Sequence, residues 1–450
     1  MKNRKLMKTI VYVALTALFP AIGIYAQAPD DTLKLTLDDA LKIAMSENLT
    51  VQVADQEITK QGYAKKGTYA SLFPQVDLTG SYQRTLSKQV MYMDGMGVSE
   101  GIEVGRDNSW SGGVAASMPL VSPSLWKSLK ISAQNVELSV EKARSSRIDL
   151  IDQVKQSYYT VLLARDSYGV YKDAYDNAVR NYVDIERKFK EGLSAEYDLI
   201  RANVSVKNAE PSMYDAQNSL ILANWQLKAV MGLDLAINIS CEGSLSDFEH
   251  ELGPEDLAAG LSLENNSSLK QLDIQIKQLE ETEKMQKAQN YPTLNAQFSY
   301  MMNSTNNDFK FRNYRWDPYS YVGVSLNIPI FSGGKRNSDI KQAKINLGQL
   351  ELQRTDTERN LQVSLKQSFD QMSTCIKQYH SALAGVKESE KGYEITMTRY
   401  ESGEGTLLDI NDSQLSMTQA RLNLNQSIYN YLIAKSSLEK IMGTGVENEK

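Results

Sequence analysis

Few side chains in this chain could do chemistry, and none of them is grouped to do it. The two histidines, His250 and His380, and the two cysteines, Cys241 and Cys375, stand far apart along 450 residues. A metal centre needs such ligands at short helical or loop spacings, and no such spacing occurs. No glycine-rich phosphate loop follows a strand, and no nucleophile motif is present. The two thiols could pair in an oxidising compartment or stay independent, since two cysteines do not make a disulfide scaffold. What remains is carboxylates beside turns: Asp198 after Gly192, and Asp409 and Asp412 after Gly403. The simplest chemistry open to them is electrostatic, because an acid in the first turn of a helix favours the positive end of the dipole. The residues therefore argue against an enzyme, and no cofactor or metal is expected.

The turns that carry these acids belong to a duplication. Phe189-Lys-Glu-Gly192-Leu193-Ser-Ala-Glu-Tyr-Asp198 returns as Tyr400-Glu-Ser-Gly403-Glu404-Gly-Thr-Leu-Leu-Asp409. Leu227-Lys-Ala-Val-Met231-Gly232 returns as Leu438-Glu-Lys-Ile-Met442-Gly443. Phe73-Pro74-Gln-Val is echoed by Tyr291-Pro292-Thr-Leu, and Pro119-Leu-Val-Ser122 by Pro329-Ile-Phe-Ser332. A period of about 210 residues is too long for a stacked solenoid unit, so one large unit is written twice. The expected division is a leader at 1–26, a first repeat at 27–233, a joining segment at 234–252, a second repeat at 253–444 and a tail at 445–450.

The leader combines Lys2, Arg4, Lys5 and Lys8 with an apolar run from Ile10 to Tyr25 and the small-residue pattern Ala26-Gln27-Ala28. That reads as a cleaved secretory signal; an uncleaved anchor is the alternative. No later segment approaches the about 18 apolar residues of a spanning helix, so a membrane passage would have to use strands. The chain carries a formal charge of -6, and removing the leader cations deepens it. Nucleic acid is therefore not expected as a partner.

Long helices should alternate with short strands. Asp38 to about Tyr69 reads as one helix capped by Thr36. Ser122 to about Lys190 is far longer, with Tyr168, Tyr171, Tyr175, Val179, Tyr182, Ile185 and Phe189 at three- and four-residue steps. Asp339 to about Tyr400 repeats it, and shorter helices near 195–231 and 406–442 follow each long one. At about 1.5 Å per residue the long helices span roughly 100 Å, so each must lie along a neighbour as coiled coils do. Gly192 and Gly403 should make the hairpin turns. Pro211 should kink or break its helix.

Four segments near 75–83, 108–119, 292–302 and 319–330 have period two. Val76, Leu78, Gly80 and Tyr82 alternate with polar neighbours, and Val324 and Leu326 flank Ser325. Tyr82, Trp110, Tyr300, Phe309, Phe311, Tyr314, Trp316 and Tyr319 gather near the loop ends, where they could form an interfacial girdle. Length and alternation fit outer-membrane strands, and they also fit a four-stranded soluble sheet. Four strands cannot close a membrane barrel, and bare edges are not tolerated in lipid. Two chains would give a filled barrel and three a barrel with a passage, so the membrane alternative favours a trimer.

The order, spacing and duplication of these motifs resemble the TolC-type outer-membrane efflux proteins over about Thr36 to Gly443. Phe73-Pro74-Gln75-Val76, Tyr291-Pro292-Thr293-Leu294, Ile328-Pro329-Ile330-Phe331-Ser332-Gly333-Gly334-Lys335 and the paired Gly192/Asp198 and Gly403/Asp409 turns carry it. The resemblance implies a mainly α protein with transmembrane β structure. It would be a homotrimeric 12-stranded outer-membrane β-barrel, four strands per chain, continued by a long periplasmic α-helical barrel. Residues 234–252 would lie in an equatorial region. The function implied is that of a passive exit duct for efflux or type I secretion in a Gram-negative envelope. Its partners would be outer-membrane lipid, a periplasmic adaptor (membrane fusion protein) and an inner-membrane RND, ABC or similar pump. A periplasmic coiled-coil scaffold or adaptor without a pore is the alternative. By the same resemblance Asp409 and Asp412 would form acidic rings at the periplasmic entrance, and Asp198 with Tyr400 would help close it. Glu191, Gly192, Leu193, Ser402, Gly403 and Glu404 would form adaptor-docking turns. The family's basic latch residue is replaced by Gly405, which leaves that closing contact without its cation.

Overall fold

The computed structural model describes residues 32–92, 101–252 and 261–444. The expected leader and tail lie outside the described residues. β1 (Leu33–Leu35) leads into α1 (Leu37–Glu47) and α2 (Leu49–Ala70). Then come β2 (Gln75–Arg84), a short hairpin of β3 (Gln89–Met91) and β4 (Ile102–Val104), and β5 (Asn108–Val121). The helices α3 (Pro123–Lys190) and α4 (Glu196–Met231) complete the first unit. β6 (Ile239–Cys241) and a 3-10 turn (Leu245–Glu251) join it to the second. That unit runs α5 (Ser267–Ala288), β7 (Thr293–Asn306), β8 (Asp317–Asn327), α6 (Lys335–Glu401) and α7 (Leu407–Met442).

Thr36 caps α1 as expected: its Oγ1 accepts the Asp39 N–H at 3.2 Å, and the Asp39 carboxylate accepts the Thr36 N–H at 3.3 Å. The single helix expected from Asp38 to Tyr69 is in fact two. Asn48 takes an extended conformation (φ -67°, ψ 125°), and its side chain caps α2 by accepting the Thr50 N–H at 2.8 Å. An asparagine satisfies a new helix start better than it continues an old helix. Pro211, expected to kink or break its helix, lies inside an unbroken α4. Packing along α3 keeps this segment helical despite the missing N–H. β8 stops at Asn327, short of the expected 330, while β7 runs on to Asn306.

The break at Asn48 has a counterpart that explains the repeat in three dimensions. Asn48 Nδ2 donates to Val230 O at 2.8 Å, tying the start of α2 to the end of α4. Asn266 Nδ2 donates to Ile441 O at 2.7 Å, tying the start of α5 to the end of α7. At each junction the start of one helix abuts the end of another. The glycines that end α4 and α7 are left-handed, with φ 78° at Gly232 and 71° at Gly443. α3 packs against α2, α4, α5 and α7, and α6 against α5 and α7. The chain therefore presents four helical columns side by side: α4 with α2, then α3, then α7 with α5, then α6.

The core lies where these columns meet β1 and β6, which pair in parallel. Leu35, Leu162, Leu227, Leu245, Tyr431 and Leu438 are all at most 1% exposed. The buried Tyr158 hydroxyl donates toward Glu242 O at 2.7 Å and Leu35 O at 3.1 Å, fixing this belt to the long helix.

The four longer strands form one antiparallel sheet in the order β2-β5-β7-β8. Its register aligns the alternation across every strand. Leu78 faces Val114, Val114 faces Tyr300, Phe298 faces Val322 and Ala296 faces Val324. The opposite face carries Thr79, Ser111, Asn303, Gln297 and Ser325, with Gln297 Nε2 donating to Ser325 Oγ at 3.1 Å. One face is apolar and exposed, Leu78 and Val322 being 82% and 81% exposed, and the other is polar. Among the described residues, β2 and β8 are the unpaired edges of this sheet. Among the described residues, no helix is long and apolar enough to cross a membrane.

Candidate functional site

The end of the columns remote from the sheet is formed by two hairpin turns. In the first, α3 ends with Leu193 N–H donating to Lys188 O at 2.8 Å, and Gly192 takes φ 75°. In the second, α6 ends with Glu404 N–H donating to Arg399 O at 2.8 Å, and Gly403 takes φ 83°. Each glycine closes its helix in the left-handed conformation that other residues avoid. Glu191, Gly192, Leu193, Ser402, Gly403 and Glu404 are all exposed there. Gly405 has a packing reason to be glycine: a Cβ would lie 3.0 Å from Tyr400 N.

The two turns differ in how their second helix begins. Thr406 caps α7 through a reciprocal pair with Asp409. The carboxylate accepts the Thr406 N–H at 2.9 Å and hydroxyl at 2.7 Å, and Thr406 Oγ1 accepts the Asp409 N–H at 3.2 Å. The hydrogen bond from the Thr406 side chain holds Asp409 below its usual carboxylate range, helped by the Thr406 backbone N–H. Ala195, at the matching place before α4, offers no side-chain cap. From sequence Asp409 reads only as a first-turn acid; the Thr406-x-x-Asp409 spacing was the available signal for the reciprocal cap. Replacing Thr406 by Ala should speed hydrogen exchange at the first turn of α7 and raise the Asp409 pKa toward 3.8. Because the folded value is depressed, the stabilisation is complete above the unfolded carboxylate value. It is lost as pH falls through the folded one. Exchange mass spectrometry on peptides spanning 404–415 checks this, and unchanged exchange would remove the cap from the account.

Asp412, one turn on, is exposed and lines a groove of about 470 Å³ between α3, α4 and α7, shared with Tyr171, Asn181, Arg201, Asn208 and Leu408. Asp198 is half-buried at the start of α4. Among the described residues, no hydrogen bond joins Asp198 to Tyr400 within one chain. Tyr400 instead packs beside Ile185, Ala202 and Leu407, and the Lys188 ammonium sits 5.1 Å from its ring centroid. Lys188 is fixed by a 2.8 Å ion pair with Asp184. The bond from Lys188 is the chief reason Asp184 lies below its usual range, and the same bond is the chief reason Lys188 lies above its own. A cation over the ring and an apolar cluster beneath it account for the position of Tyr400. Lys188 and Arg201 were missed at the sequence level. The i,i+4 spacing of Asp184 and Lys188 was the available signal for the first; nothing local marks the second.

The thiols are free and buried, and burial pushes Cys241 up to about 12, so they are unreactive core residues rather than a pair. The described residues hold no group of histidine, cysteine and acidic side chains that could bind a metal.

Comparison with known proteins bears on the whole arrangement. The profile of the outer membrane efflux protein family matches residues 40–233 and 258–444. The chain is similar to the outer membrane protein TolC of Escherichia coli K12, 23% identical over 436 residues, covering 91% of this chain and 85% of that one. It is similar to the alkaline protease secretion protein AprF of Pseudomonas aeruginosa, 22% identical over 419 residues, covering 92% and 85%. Its fold matches the Campylobacter jejuni CmeC outer membrane channel with a TM-score of 0.75 at 20% identity, covering 92% of this chain and 87% of that one.

Proposed function

Because the chain belongs to the outer membrane efflux protein family, we propose that three copies close into one passive conduit for efflux or type I secretion. The chain is an outer-membrane channel component. One observation carries it: the chain is an open panel at both levels. The sheet β2-β5-β7-β8 is four strands wide with free edges at β2 and β8. The helices are four columns wide, with the α4–α2 column at one side and α6 at the other. Unpaired strand edges are not tolerated in lipid, so β2 must meet β8 of another copy. Such head-to-tail contacts close into rings. Two copies would give eight strands whose interior side chains fill it, whereas three give twelve strands and a passage. The same rotation assembles twelve helical columns below the barrel.

The apolar sheet face meets lipid and the polar face lines the passage. The columns then project away from the membrane into the periplasm, and the hairpin turns form the far mouth. Those turns, with Leu193 73% exposed, are the surface for a periplasmic adaptor coupled to an inner-membrane pump. The chain supplies no chemistry of its own, and the pump drives transport.

At that mouth a threefold axis repeats Asp409 and Asp412. Asp409 is engaged in capping α7, so Asp412 is the freer carboxylate of the two. Together they make an electronegative entrance that concentrates cations. Replacing both by Asn keeps a cap acceptor at 409 while removing the charge. In planar bilayers the wild type should conduct, favour cations and be blocked by multivalent cations. The double variant should lose most of that block and selectivity while still conducting. Wild-type block in the variant would reduce both acids to solvated helix residues, and no conductance at all would point to a pore-less scaffold.

A further inference from the structure

Above the apolar face, the segment between β7 and β8 folds back onto the sheet as a strap. Phe309 lies tilted against Tyr82 with ring centroids 6.1 Å apart, and Phe311 meets Trp110 edge-on at 5.1 Å. Phe311 in turn touches Tyr314 at 5.0 Å, and the Tyr314 hydroxyl donates to Asp308 O. Asn307 Oδ1 accepts the Asp107 N–H at 3.0 Å, tying the strap to the neighbouring loop. Tyr82 and Trp110 are cross-strand partners on the face that carries Leu78 and Val114, so the strap lies on the outer, lipid side. Beneath it Trp110 Nε1 and Ser304 Oγ are buried without a hydrogen-bond partner, although their residues are cross-strand partners. Ring contact rather than polar pairing seats the strap there.

Charge follows the rings. Up β2 the outer face reads Val76, Leu78, Gly80, Tyr82 and then Arg84, which pairs with Asn108 on the last rung. In the strap, Lys310 lies between the two anchoring phenylalanines and Arg312 directly follows them. Two of the neighbouring acids are held in ion pairs: Asp107 with Lys88 at 2.9 Å and Asp317 with Arg315 at 2.9 Å. Asp308 accepts the Lys310 backbone N–H at 3.1 Å. Arg84, Lys310 and Arg312 are exposed and have no ion pair or side-chain hydrogen bond among the described residues. An acidic chain thus leaves three cations without an ion pair among the described residues, each adjoining the aromatic band. That order of apolar, aromatic and cationic residues matches the depth profile from acyl chain to headgroup.

We propose that the strap and Arg84 form a docking site for the phosphorylated headgroup of an outer-leaflet glycolipid. The rings sit at the boundary of the acyl region. The guanidinium groups of Arg84 and Arg312 grip phosphate oxygens by paired N–H donors, and Lys310 adds a point charge. This rests on the reading that the apolar face meets lipid.

The test uses the full detergent-solubilised protein titrated with bisphosphorylated lipid A in mixed micelles. Dephosphorylated lipid A and inorganic phosphate serve as separate arms. The wild type should bind the phosphorylated lipid best and inorganic phosphate weakly. The variant R84A/K310A/R312A should lose on the order of a hundredfold in affinity for it. The variant R84K/K310R/R312K keeps the net charge but loses the paired guanidinium donors at 84 and 312, so it should bind with intermediate affinity, and it supplies the measurement if the alanine variant fails to assemble. Equal binding of the two lipids by the wild type, or wild-type affinity in the alanine variant, would overturn the site. Insertion into phosphatidylcholine liposomes separates this from its premise. Insertion without headgroup discrimination rejects the site alone, and failure to insert rejects the premise and the site together.

Discussion

Alanine at Gly443 should destabilise the protein by about 3 kcal/mol or more, a cost drawn from two independent sources. The residue has φ 71°, where a Cβ is strained whatever surrounds it. The space is also occupied: a Cβ would lie 2.1 Å from Asn265 O and 2.7 Å from its carbonyl carbon. Both contacts are backbone, so no side chain can swing away. Asn265 is further pinned, because its O accepts from Arg144 at 2.7 Å. The strain must therefore open the junction at which α5 abuts α7. Gly232 holds the matching place under α2, with the Glu47 carbonyl oxygen 2.8 Å from its would-be Cβ, and should respond less severely. Gly67 is the contrast: it is helical, exposed and has open space, so alanine there should be neutral or stabilising. Chemical denaturation of the three variants checks the ranking. An unchanged midpoint for Gly443→Ala would mean that the columns do not meet end to end.

Arginine at Val322 should cost about 2–4 kcal/mol of assembled stability, because the side chain points into lipid near mid-height of the apolar face. Val322 pairs with Phe298, and the apolar run continues below it through Val324 with Ala296 and Leu326 with Leu294. Arginine at Val324 should act similarly, with a smaller cost at Leu326 as the lower boundary nears. Ser325 lies on the opposite face, where Gln297 already donates to it. Arginine there should leave assembly intact and alter conductance. Folding titrations into liposomes, with conductance recorded alongside, separate the two classes. Equal loss at Val322 and Ser325 would contradict the register.

What the sequence made legible follows from periodicity. Alternation over Gln75–Arg84 or Asp317–Asn327 reports a two-sided environment directly, and the register aligned those residues as the pattern required. The three- and four-residue stripes of α3 and α6 likewise reported long neighbours. What stayed hidden was non-local. Asn48 reads as an ordinary polar residue in a helical stretch, and only its bond to Val230, far along the chain, makes it a junction. The folding of Phe309 and Phe311 back onto Tyr82 and Trp110 depends on a loop path that no local pattern fixes. At the turns, glycine spacing marked both reversals, whereas the Thr406 cap of Asp409 went unread although its spacing was present. The Lys188 ammonium beside Tyr400 stayed hidden because it lies on the other long helix, where sequence spacing carries no information.

The central claim is that an open panel of four strands and four columns is one third of a closed conduit. Native mass measurement of the detergent-solubilised complex tests it most directly. The account predicts a single species of three chains that persists on dilution in detergent. A membrane-inserted monomer would leave two bare sheet edges in lipid, and a dimer would close an eight-stranded barrel without a passage. Either result would contradict the account.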